Sequence, residues 1–122
     1  FNFATGIYEP RNFVVRSQAE WEGIWRRITA SHGDPPPPPE VDFAREMLLV
    51  SAMGPQPSGG FRTRIERVLY GGAELEAQVV HTSPGPRCGA IAAITHPIDI
   101  VVVAASPKPV RWLVRREATD CP

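Results

Sequence analysis

Glu46-Met47-Leu48-Leu49-Val50-Ser51-Ala52-Met53 is the stretch that decides the fold. It is short and nearly all apolar, and Gly54-Pro55 stops it. An apolar run of this length without alternation reads as a central strand covered on both faces.

Downstream, Gly54 to Phe61 (G-P-Q-P-S-G-G-F) holds two prolines and three glycines, so neither helix nor strand continues through it. Phe61, Thr63, Ile65 and Leu69 then alternate with Arg62, Arg64 and Glu66. Leu75, Ala77 and Val79 alternate with Glu74, Glu76 and Gln78 over Ala73 to Thr82. Gly71-Gly72 joins the two runs as a hairpin. A two-residue turn would set Val68 opposite Leu75 and turn Ile65 outward. A three-residue loop, Tyr70 to Gly72, pairs Leu69 with Ala73, Ile65 with Ala77 and Thr63 with Val79. That register is the expected one, because it gathers the apolar residues on one face, Arg67 excepted.

His81 to Gly89 reads as a second rigid loop, and Ala90 to Thr95 as an uncertain strand. Pro97 to Ala104 contains the strong strand signal I-D-I-V-V-V. Ser106 to Pro109 is a turn. Val110, Trp112 and Val114 alternate with Arg111 and Arg115 in a last strand, Val110 to Arg116.

Upstream, Asn12 to Arg16 is a short strand. Ser17 and Glu20 match a capping box. Trp21, Ile24, Trp25 and Ile28 form one apolar stripe on a helix expected from Gln18 to Ala30. The tryptophans read as its packing face rather than a ligand platform. Pro35 to Pro39 forms a polyproline spacer between helix and sheet. In Val41-Asp42-Phe43, Asp42 caps a turn or pairs with an arginine. The fold class is mainly β (α+β): an antiparallel curled sheet, or a small β-sandwich or barrel, of six to seven strands with one N-terminal amphipathic helix packed on it. Residues 1–122 form a single domain.

Fourteen prolines punctuate the chain heavily. Net charge is zero, with Lys108 the only lysine. The arginine groups Arg62, Arg64, Arg67 and Arg111, Arg115, Arg116 read as solvated strand faces, so nucleic acid is not an expected partner. No apolar run is long enough to span a membrane. The chain begins at Phe1 rather than Met, which reads as processing or trimming upstream.

No catalytic constellation stands out. His32, His81 and His96 lack a second ligand at metal spacing, and no cofactor or metal is expected. Ser58 sits among glycines without the nucleophile-elbow pattern. Ser51, His81 and Asp99 could meet only through the fold. The features most like a working surface are two proline-glycine loops, Pro57-Ser58-Gly59-Gly60-Phe61 and Pro84-Gly85-Pro86-Arg87, each rigid, with Phe61 or Arg87 as its projecting group. They are expected at the same end of the sheet, as one contact surface for a protein partner.

Val41-Asp42-Phe43, Gly54 to Phe61, Thr82 to Cys88 (T-S-P-G-P-R-C) and Thr95-His96-Pro97 together resemble the PrcB family C-terminal domain over about residues 41–105. That family shows a V-D-F, a P-T-G-G-Y loop, a P-G-P-G-C loop and a T-x-P ahead of an apolar strand. Here Ser58, Phe61 and Arg87 replace Thr, Tyr and Gly. The resemblance implies a bacterial, extracytoplasmic, non-catalytic module, an accessory subunit of a secreted protease complex or a short lipoprotein with an anchor upstream. Its partner would be a protease that it binds and stabilises. The Pro57–Phe61 loop is also similar to the N-P-T-T-G-Y/F loop of chagasin-like inhibitors, which implies protease inhibition as the alternative. In an exported chain the two cysteines, Cys88 and Cys121, are expected to pair as a disulfide.

Overall fold

Strand pairing sorts the chain into two three-stranded sheets. The computed structural model describes residues 9–30, 32–89 and 91–119. The elements in order are β1 (Arg11–Val15), α1 (Gln18–Ile28), β2 (Glu46–Ala52), β3 (Arg62–Leu69), β4 (Leu75–Pro84), β5 (Ile98–Ala104) and β6 (Val110–Thr119). The first sheet has the order β1-β2-β5, antiparallel throughout. The second has the order β3-β4-β6. Neither closes into a barrel.

β2 accounts for the layering. Every residue from Met47 to Met53 is buried, as its lack of alternation predicts. Successive side chains on a strand point to opposite faces. Leu48, Val50 and Ala52 accordingly join Trp21, Trp25, Ile28 and Ile98 in a core beneath α1. Met47 and Leu49 join Ile65, Leu75, Ala77 and Val79 in a second core between the sheets. The result is a stack of helix, sheet and sheet, mainly β with the helix packed on it.

The helix begins where its cap signal stands. The Ser17 side chain accepts from the Glu20 amide at 3.2 Å. The Glu20 carboxylate reaches back to the Arg16 amide at 3.2 Å, one residue before the capping-box partner. At the other end Thr29 turns the chain, its hydroxyl donating to the Trp25 carbonyl at 2.7 Å, so the helix stops two residues short of Ala30. The proline run crosses the stripe. Trp25 Nε1 donates to the Pro36 carbonyl at 2.8 Å and Trp21 Nε1 to the Pro39 carbonyl at 2.9 Å. The spacer is therefore a strap over the indoles, which supplies the acceptors that buried tryptophan N–H groups need. Asp42 does both things expected of it. Its Oδ1 accepts from the Ala44 amide at 3.1 Å, and its Oδ2 lies 3.9 Å from Arg45 Nε.

Three expectations are corrected. The β3–β4 hairpin follows neither anticipated register: Ile65 pairs with Val79 and Thr63 with His81, while Val68 pairs with Ala77 and Leu69 with Glu76. A bulge between Ile65 and Arg67 shifts the register by one, leaving Glu66 unpaired and turning both Ile65 and Val68 inward. The loop is consequently longer, spanning residues 70–74. Second, Ala90 to Thr95 forms no strand among its described residues; only an isolated bridge joins Thr95 to Gln56. Third, the pairing is not all antiparallel. β6 runs parallel to β4, from Leu75–Val110 to Pro84–Thr119. The chain leaves the second sheet after β4, passes through β5 in the first, and returns beside β4 in the same direction.

Candidate functional site

The alternation that fills the inter-sheet core with apolar residues puts a polar layer at one end of it. In the first sheet Asn12, Ser51 and Asp99 lie opposite one another; in the second, Thr63, His81 and Arg116 do. Two bonds cross between the sheets. The Ser51 and Thr63 hydroxyls are 2.9 Å apart, and Asp99 Oδ2 accepts from the Ile65 amide at 2.8 Å. Asn12 Oδ1 and His81 Nε2 are shielded from solvent with no hydrogen-bond partner among the described residues. Burial, and then the Arg116 guanidinium, hold the His81 pKa below its ordinary value.

This layer brings Ser51, His81 and Asp99 to one level without linking them. Ser51 is fully buried and engaged with Thr63, and Asp99 serves a backbone amide. A nucleophile needs a base within hydrogen-bond reach and room for a substrate, and among the described residues this serine has neither. Its position marks it as part of the packing.

The proline-glycine loops close the same end. Pro57 and Gly60 are exposed, Ser58, Gly59 and Phe61 half-buried. Phe61 stands just before β3 and belongs to neither core. Pro84 is the last residue of β4, so the second loop starts at Gly85; Pro86 and Arg87 beyond it are exposed. The first loop lies against the end of β4, from which the second loop starts. Gly60 has φ +88°, and a Cβ added to it would stand 3.0 Å from the Pro84 Cβ. Only a glycine there lets the first loop lie on Pro84.

A third segment, within the uncertain strand expected from Ala90 to Thr95, completes the surface. Gly59 N donates to the Ile91 carbonyl at 2.9 Å, and Thr95 Oγ1 to the Ser58 carbonyl at 2.9 Å. Gln56 and Thr95 exchange backbone bonds of 2.8 and 3.0 Å. These contacts fix a loop on which Ile91 and Ile94 remain 75% and 67% exposed. The signal for it was in the sequence: two isoleucines among alanines, Ile91-Ala92-Ala93-Ile94, cannot share one face of a strand.

The expected Cys88–Cys121 bridge falls on Cys121, outside the described residues. Cys88 itself is half-buried, its Sγ 3.3 Å from the carbonyl oxygen of Thr119, two residues before Cys121.

Elsewhere, Trp21 and Trp25 are buried with ring centroids 5.6 Å apart, so they act as the helix's packing face. No group of histidine, cysteine or carboxylate ligands fit for a metal ion occurs among the described residues. No helix among them is long and apolar enough to cross a membrane.

Residues 47–104 match the family model described as PrcB C-terminal. The matched segment runs from β2 to β5 and includes all three loops of the polar end. No curated protein and no solved structure matches the chain.

Proposed function

We propose, from the match to the PrcB C-terminal family, that the chain is a non-catalytic, extracytoplasmic binding module that docks on a partner protease and stabilises it. The observation that carries this is the contact of the first proline-glycine loop, at Gly60, with Pro84, the β4 residue from which the second loop starts. Together with the Ile91–Thr95 segment the two loops form a pre-ordered surface with Arg87, Ile91 and Ile94 exposed on it. Ordering a loop on binding costs free energy, and a surface already tied by backbone bonds avoids much of that cost. Arginine supplies a directional anchor and the isoleucines supply apolar area.

The test is affinity capture from the chain's own source with the wild type and an Arg87→Ala/Ile94→Asp variant. A protease retained by the wild type and lost by the variant, at unchanged melting temperature, is the expected result. Equal retention would reject the loop end as the surface, and capture without any protease would reject the class of partner. Stoichiometric inhibition of papain or subtilisin would favour the inhibitor reading instead.

A further inference from the structure

We infer that the edge of β6 away from β4, unpaired among the described residues, pairs with the same strand of a second copy of this chain, antiparallel about a twofold axis at Val114. The second sheet has two edges, and they are treated differently. The β3 edge is closed. A bulge interrupts it after Ile65, Asp99 takes the Ile65 amide at 2.8 Å, and the Tyr70 hydroxyl beside it bonds to the Ala104 carbonyl at 2.9 Å. These are the devices that keep an edge from pairing. Among the described residues the β6 edge has none of them. Its register with β4 is unbroken over ten residues, with no bulge. Neither proline nor lysine occurs between Val110 and Thr119. Leu113 and Val114, at the middle of the strand, are 39% and 40% exposed. Only β4 pairs with it among the described residues.

The sequence of β6 selects the occupant. In an antiparallel pair, hydrogen-bonded and non-hydrogen-bonded positions alternate, so a twofold axis must place one residue opposite itself. With Val114 on the axis, Arg111 stands opposite Glu117, Trp112 opposite Arg116, Leu113 opposite Arg115, and Val110 opposite Ala118. Each pair occurs twice. The face carrying Arg111 then gains opposite charges, and Leu113 lies under the Arg115 stem. The inner face gains guanidinium-on-indole contacts and a central valine pair. Neighbouring registers fail. An axis at Leu113 sets Arg111 against Arg115, and one at Arg115 or Arg116 sets an arginine against itself. An axis at Trp112 pairs only Val110 to Val114. Charges on an edge strand oppose pairing unless they match, and these match in one register. Arg111 and Glu117 already hold ion pairs within the chain, to Glu76 at 3.5 Å and Arg115 at 2.6 Å. Arg111 and Glu117 are themselves exposed, so these pairs exchange at little cost.

Sedimentation equilibrium of the whole chain tests this. A concentration-dependent dimer is expected. Arg111→Glu and Glu117→Arg should each weaken it by on the order of tenfold, with the monomer fold retained, because each makes two like-charged pairs. Mixing the two variants should restore dimers, since every pair in the mixed species then meets an opposite charge. The double variant should also dimerise like the wild type. A chain that stays monomeric at millimolar concentration overturns the proposal. So does a dimer that ignores both charge changes, or two weakened variants that fail to rescue each other. The capture experiment on the loops is independent of all these outcomes.

Discussion

At one end of the space between the sheets stand Met47, Leu49, Leu75, Ala77, Val101 and Val103. A few residues along the same strands, at the other end, stand Ser51, Thr63, His81 and Asp99, with Asn12 and Arg116 at the flanks. Both sets obey the same alternation. What differs is distance along the strand, and with it the work each end does. The apolar end holds the sheets together by excluding water. The polar end is joined by specific hydrogen bonds and carries the loops. Stability and recognition are thus separated along one axis of the fold, and perturbations at the two ends should read out differently.

The largest effect belongs to the apolar end. Leu49 is fully buried, so Leu49→Ala should cost about 2–5 kcal/mol in urea unfolding. A loss under about 1 kcal/mol would mean the sheets do not meet there. The next concerns the polar end's tether. If Cys88 and Cys121 are bridged, the unfolded, unreduced chain has no titratable thiol, and reduction lowers stability by about 3–4 kcal/mol; two reactive thiols end the idea. Asp99→Ala strips the Ile65 amide of its acceptor and should cost about 1–3 kcal/mol, while Asp99→Asn, which keeps an acceptor, costs less. Equal losses for the two would show that the side chain acts by charge alone.

His81 sets a pH dependence. Its folded pKa lies below the ordinary 6.5, so the unfolded chain binds the proton first. Stability should be constant at neutral and higher pH, fall as pH drops below about 6.5 towards the folded pKa, and level off beneath it. His81→Gln should remove that component; an identical acid loss in both proteins assigns it to other groups. The smallest stability change is expected at Arg87→Ala, within about 0.5 kcal/mol, because Arg87 is exposed. A cooperative loss of fold there would blur the division between the two ends.

Much of this was legible in the residues. The unbroken apolar run of β2, the tryptophan stripe and the Ser17 cap each state a local rule, and each forms as read. The β3–β4 register was not, because a bulge changes the parity of a strand and no residue type marks it alone. The clue was Arg67, the residue the expected register had to excuse; the bulge at Glu66 puts it on the outer face and brings Val68 in. The contact of the first loop with Pro84 rests on glycine and proline signals that the sequence does carry. The polar layer could not be read as a layer, although Ser51, His81 and Asp99 could be named as residues that only the fold would join. Asn12, Ser51, Thr63, His81, Asp99 and Arg116 come from six strands, and each is an ordinary alternating position until the register sets them side by side.

The strap over α1 has a consequence for observing this protein. Proline carries no amide hydrogen, so backbone hydrogen exchange is silent from Pro35 to Pro39. The two indole hydrogens of Trp21 and Trp25 are held by the carbonyls of that same segment. Their exchange, followed as two side-chain resonances, times the lifting of a stretch of chain that has no backbone reporter of its own.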